Sequence, residues 1–416
     1  MARASMDVQV ARGDDGTVRV AGPAVGPDFT RVVLDVAGAV LTWPVLGDPG
    51  PPAAEIHDVA RAQQWLWAVY GERVAAAVQA CAAGELSDVR APADMNPLAG
   101  SAARLGFGHW AARWWPASYL DGIPALQPDV LGLELAALTH ECQQLFDDDG
   151  DQPDDCVAEL IGDHHAALDP LIQWWHATPP STDTARRLES VLRTVDDAAD
   201  STGSDGEALR RLRSSLAQPR PDSAPVAVDP VALFVRHDDY ALAAGEPLVA
   251  GGRVIARGAG TNDWRRYPPG FVDASETAVS WTARALGARR QIEVEVVAHI
   301  AAPTTSRPLL VAEVEVDGGH PNRVPLARWD DVWRGRTDLD LSAGETRPRI
   351  EIGVLLPGFD PGPGSEAGAD RDAIRALVRR RLATAAQPLV SNASAHEGTS
   401  GPFLAEIAAA NTDEDY

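Results

Sequence analysis

Residues 291–300 read QIEVEVVAHI. Ile292, Val294, Val296 and Ile300 fall on even positions, and Glu293 and Glu295 on odd ones. A period of two gathers apolar side chains on one face only in a pleated strand, so this stretch reads as β. The alternation recurs in RVIAR (253–257), AVSWTARAL (278–286), LLVAEVEV (309–316) and RIEIGVLL (349–356), with polar turns between them. Short alternating strands of this kind predict a mostly antiparallel β-sandwich-like domain. If 291–300 and 309–316 pair as a hairpin around APTTSRP, matched apolar faces put Glu293, Glu295, Glu313 and Glu315 on the opposite face with His299. Four carboxylates that close require neutralising, which Arg284 or Arg349 on neighbouring strands could do. A solvated face of Glu–Arg pairs is the expected outcome, with a cation site or a docking face for a basic partner as the alternative.

Working outward toward the amino terminus, QPRPDSAPVAVDP (218–230) is proline-rich and reads as an extended linker. Upstream of it the period is about 3.6. Ile56, Val59, Leu66, Trp67, Tyr70, Val74, Val78 and Cys81 recur at spacings of three and four apart from one gap at Gln63, and Gly84 stands where a helix would end. Further helices are expected over 99–115, 128–146, 154–176, 183–199 and 205–217, with Ser204 and Glu207 at capping-box spacing. Residues 7–46 read as short strands broken by Gly, Asp and Pro.

The expected fold is α+β: a Trp-rich all-helical domain followed by a mostly antiparallel β-sandwich-like domain, a C-terminal helix and a disordered acidic tail. The expected boundaries are 1–52 for short strands that could pack on the C-terminal sheet, 53–217 for the helical domain and 218–230 for the linker. The β-rich domain with its terminal helix takes 231–386, and the flexible tail 387–416.

Composition narrows the chemistry. Sixty acidic against 36 basic residues give a formal charge of −24, which repels phosphate backbones, so no nucleic-acid partner is expected. No apolar run approaches the ~18 residues of a membrane span, and three scattered cysteines point to the reducing cytoplasm. All 36 basic side chains are arginine; lysine is absent. Guanidinium stays protonated and cannot act as an amine nucleophile, which excludes Schiff-base and pyridoxal chemistry. P-loop nucleotide binding and the usual kinase architecture also need a lysine.

Other signatures fail on spacing. THEC (139–142) begins like a zinc-protease helix, but position 144 is Gln where the second histidine belongs. A site from His140, Cys142, Cys156 and His165 has no zinc-like spacing. FDDDGDQPDD (146–155) fails the EF-hand register, since Leu145 and Cys156 would be its first and last ligands. His57-Asp58 lacks the upstream histidine of the His-Asp phosphohydrolases, and His237-Asp238 falls where the strands begin rather than on a helix. GPGSEAG is no nucleophile elbow, and RGAGTND no dinucleotide fingerprint. No metal and no cofactor is expected. His164 lies on an apolar helix face, where a hydrogen-bonded core role is expected.

Two kinds of binding surface remain. Seven of the twelve tryptophans lie in the helical region, and FGHWAARWW (107–115) sets Phe107, Trp110 and Trp114 on one stripe and His109 and Arg113 on another. Gly106 and Gly108 there would let a neighbour pack closely, and Arg113 could cover a Trp face. The second surface is a pair of loops, GTNDWRRYPPGFVD (260–273) and ARWDDVWRGR (327–336), rich in the residue types of interface hot spots. The expected function is a non-catalytic cytoplasmic adaptor or scaffold component. It would bind other proteins, with no membrane partner, through Trp264, Arg265, Arg266, Tyr267, Trp329 and Trp333. The alternative is an enzyme (a hydrolase by class) or small-ligand binder with a pocket at Trp110 and Trp114. There His109 or His140 would be the base, assisted by Glu134 or Glu141. Carbohydrate recognition on flat Trp faces is a third reading.

Overall fold

The computed structural model describes residues 6–21, 28–47, 50–94, 96–146, 153–180, 182–218, 233–234, 253–286, 289–299, 302, 310–339, 349–359, 368–387 and 401–410. The expected linker, apart from Gln218, lies outside them, as do His237-Asp238 and residues 147–152 of the acidic loop. The chain is mixed α+β and divides into two compact units, residues 1–112, 126–236 and 370–416, and residues 113–125 and 237–369. Among the described residues no helix is long and apolar enough to cross a membrane.

The first unit opens with a six-stranded antiparallel sheet: β1 (Met6–Arg12), β2 (Val18–Ala21), β3 (Arg31–Val36), β4 (Ala39–Pro44), β5 (Ala53–Ile56) and β6 (Asp88–Ala93), ordered β3-β4-β5-β2-β1-β6. These strands pair only with one another among the described residues, so they do not extend the later sheets as the sequence reading allowed. Alternation explains the sheet: Val8, Val10, Val18, Val20, Leu41, Trp43, Ala54 and Ile56 are all buried. Gly38 (φ 72°) makes the tight β3–β4 turn, where a Cβ would strike the Asp58 carbonyl at 2.2 Å. Helices α1 (Val59–Tyr70) and α2 (Glu72–Ala83) follow, divided at Gly71, whose φ of 87° no helix tolerates. The apolar periodicity, which runs unbroken from Trp67 to Cys81, hides that break.

Next come α3 (Pro97–Trp114), α4 (Pro128–Glu141), α5 (Pro153–His164), α6 (Leu168–Ala177), α7 (Asp183–Ser201) and α8 (Glu207–Ala217). Every residue of α4 from Val130 to Thr139 is buried, which makes it the central helix of this group. Gly132 lets α5 approach: a Cβ there would lie 1.9 Å from the His164 ring, which bonds Asp129 through Nδ1 at 3.1 Å. His164 is thus the hydrogen-bonded packing residue expected from its place on the apolar face. The Ser204–Glu207 capping box does not form. Ser204 bonds the Thr202 hydroxyl, Gly206 is the N-cap without a side-chain bond, and Glu207 pairs with Arg211 at 3.0 Å.

The C-terminal part corrects the sequence reading twice. Helix α9 (Gly368–Ala386), expected with the strands, belongs to the first unit from Asp370 on. The tail is not wholly disordered either: residues 401–410 are ordered, and α10 (Leu404–Ala410) buries every residue from Leu404 to Ala409. An acidic ending and a run of small residues disguised it. Residues 411–416 lie outside the described set.

The second unit holds two antiparallel sheets. Strands β7 (Arg253–Ala259), β8 (Val279–Leu286), β9 (Arg289–Val297), β12 (Ala327–Trp329) and β13 (Val332–Asp338) form one, ordered β12-β13-β9-β8-β7. Strands β10 (Val311–Val316), β11 (Asn322–Pro325) and β14 (Ile350–Leu355) form the other, ordered β11-β10-β14. The expected 291–300/309–316 hairpin is therefore absent: β9 pairs with β8 and β13, and β10 with β11 and β14. The outward face of Glu–Arg pairs does form, by different partners. Glu293 and Glu295 sit opposite Arg336 and Arg334 on β13, with ion-pair distances of 2.6 and 2.7 Å. Strand alternation set the faces, but alternation alone cannot choose among partners of equal period.

Candidate functional site

The most heavily engineered environment in the first unit surrounds residues 401–410. Phe403 cannot cap a helix with its side chain, yet α10 starts at Leu404. Its free amides are satisfied in two other ways. Glu406, at the third helical position, accepts the Phe403 N–H at 2.7 Å, the return half of a capping box. Glu134 on α4 accepts the Ala405 N–H at 3.2 Å, supplying from another helix what a Ser or Asp cap would supply locally.

Arginines from three helices hold the rest of the segment. Arg104 on α3 donates to the Gly401 carbonyl at 2.7 Å, and Arg187 on α7 donates to the Pro402 carbonyl. Arg381 on α9 makes a two-pronged pair with Glu406 at 2.6 and 2.7 Å. Glu406 is fully buried, so removing either partner would cost about 3–5 kcal/mol. The rings add a second layer. Phe403 stacks on Phe107 (6.2 Å), Arg104 lies 4.4 Å over Phe403 and Arg381 4.5 Å over Phe107. Gly108 leaves the room: a Cβ there would stand 2.6 Å from Leu135 and 3.3 Å from Phe403.

Glu134 is the electrostatic oddity of this groove. It is 2 % exposed within the run Val130–Leu138, whose other residues are apolar, and its Oε1 has no hydrogen bond, with Arg104 3.6 Å away. Burial pushes its carboxyl up to about 7, against the pull of Arg104, the Leu404 and Ala405 amides and Arg187.

His109 is exposed on α3, His140 is occupied by Gln143 at 3.1 Å, and Glu141 is exposed. Trp110 is a core residue, 3 % exposed, donating to the Phe29 carbonyl and stacked on Phe107 at 5.0 Å. Trp114 belongs to the second unit, where Arg113 covers its ring at 4.6 Å, the expected cation–π contact. No group of three or more His, Cys, Asp or Glu side chains could hold a metal among the described residues. All three cysteines are free, and burial pushes Cys142 up to about 12.

Loop 260–273 turns its hot-spot residues inward. Asn262, fully buried, donates to the Asp273 and Ser275 carbonyls and bonds the Tyr267 hydroxyl. Trp264 and Tyr267 are 6 % and 4 % exposed, Arg265 is paired with Asp263 at 2.7 Å, and Arg266 with Glu313 at 2.6 Å. The sequence could not show this, because an inward and an outward aromatic loop have the same composition. Asp273 at the end of this loop accepts the Ser118 hydroxyl and the Tyr119 amide, both at 2.7 Å. This hydroxyl donates directly to a carboxylate, which is a structural latch.

Loop 327–336 divides. Trp333 is fully buried and donates to the Phe271 carbonyl at 2.9 Å. Trp329 is 58 % exposed at the end of the edge strand β12. The hairpin beneath it is held firmly. Asp330 takes φ 50°, Arg328 donates to the Asp330 carbonyl at 2.6 Å and to Ala302 at 3.2 Å, and Ala298 donates to Asp331 at 2.8 Å. Comparison with protein-family profiles, curated proteins and solved structures finds no match to this chain.

Proposed function

We propose that the protein is a non-catalytic cytoplasmic adaptor that binds other proteins through the β12–β13 hairpin, with Trp329 as the anchor. The observation that carries this reading is a large aromatic ring exposed on a hairpin whose backbone is already fixed by Arg328, Asp330 and Asp331. A rigid hairpin loses little conformational freedom on docking, and a solvated indole contributes binding energy when a partner covers it. Three free thiols suit a reducing compartment.

The test is affinity capture from the protein's own cells with wild type, Trp329→Ser and Tyr119→Ser as an exposed control (79 % exposed). The reading expects a partner retained by wild type and the control and lost by Trp329→Ser, whose fold should be intact because the ring is in water. An identical partner set in all three would refute it.

A further inference from the structure

Residues 401–410 are held as a bound peptide is held. Their two leading carbonyls are taken by Arg104 and Arg187, their Phe403 ring by Phe107, their Ala405 amide by Glu134 and their Glu406 carboxylate by Arg381. Those five groups come from four helices far apart in sequence, α3, α4, α7 and α9. A seven-residue helix is not stable alone in water, so α10 owes its form to the groove. Glycine suits the first position, because a Cβ on Gly401 would press on the Arg187 guanidinium at 2.6 Å. The recognition is also selective: the fork of Arg381 demands a carboxylate three residues after the aromatic ring, and Gly108 limits the space for that ring.

We infer that this groove is a peptide-binding site for segments of the Gly-Pro-Phe-Leu-Ala-Glu kind, with Leu404 and Ala405 buried beside the aromatic anchor, and that the chain's own 401–410 segment is its tethered occupant. The ligand class is a short peptide with an aromatic anchor and a carboxylate one helical turn on, and the tethered copy competes with any such peptide in trans. Tethering sets a high effective concentration, so the intact chain should admit an external peptide only weakly. This inference is independent of the β12–β13 hairpin.

The test uses the full chain with a specific protease site placed within residues 388–400, and a fluorescent peptide of residues 399–412. After cleavage the protein should stay folded by circular dichroism, and the labelled peptide should exchange into the groove with saturable anisotropy. A Glu406→Gln peptide should bind at least tenfold more weakly, as should the wild-type peptide to cut chain carrying Arg381→Ala. The uncut chain should also bind the wild-type peptide at least tenfold more weakly. Unfolding on cleavage would show that the segment is an ordinary core element and overturn the inference. So would failure of a hundredfold excess of peptide to enter the cut, folded chain over a week, or equal binding of the Gln peptide.

Discussion

Glu134 sits in a run of apolar residues on α4 with Arg104 3.6 Å away, and burial raises its carboxyl to about 7. A carboxyl whose folded value lies above its unfolded value near 4.5 holds its proton more tightly in the folded chain. Its contribution to stability is therefore greatest below pH 4.5 and is lost as pH rises toward 7, above which it stays flat. Glutamine keeps an acceptor for the Ala405 amide and has no proton to lose. Glu134→Gln is expected to raise Tm by about 3–6 °C at pH 8, with the gain shrinking as pH falls to 5. Thermal unfolding of both proteins across that range checks it, and an unchanged difference would show that Glu134 is ionised throughout. The sequence offered Glu134 as a group assisting a histidine base. A carboxylate inside an apolar periodicity was the legible signal, but its partner, Ala405, lies 271 positions away in a segment whose composition suggested disorder.

At the scale of elements, small residues decide which helices touch. Gly132 and Gly162 are both helical glycines, and helix propensity alone would favour alanine at either by about 1 kcal/mol. Their surroundings separate them. A Cβ at Gly132 meets the His164 ring at 1.9 Å, whereas one at Gly162 meets nothing within 4 Å. Gly132→Ala is expected to destabilise by about 1–3 kcal/mol by forcing α4 and α5 apart, and Gly162→Ala to stabilise by up to about 1 kcal/mol. Denaturant unfolding of both variants measures the contrast, and shifts of the same sign would contradict the packing. Gly106 and Gly108 were legible as points of close approach, and a Cβ added there would lie 2.5 Å from Val32 and 2.6 Å from Leu135. Strand faces were legible for the same local reason. The choice of strand partners, the break at Gly71 and the inward turn of Trp264 were not, because each depends on residues distant in sequence or on a backbone angle.

Over the whole molecule, alternation and helical period were enough to foresee a mixed α+β chain. What they concealed is that sequence order and unit membership diverge. Residues 113–125 leave the helices for the second unit, and the chain returns after the strands to lay α9 and α10 in the first. On the inference drawn above, residues 401–410 are a discrete bound segment, separable from the unit that binds it. Hydrogen exchange read by mass spectrometry tests this on wild type and Glu406→Gln. In wild type the amides of 403–410 should be protected. In the variant, which weakens the Arg381 fork and the Phe403 amide bond, they should exchange at least tenfold faster while α4 and α7 keep their protection. Loss of protection through α4 and α7 together with the segment would contradict the claim and make 401–410 part of one cooperative core.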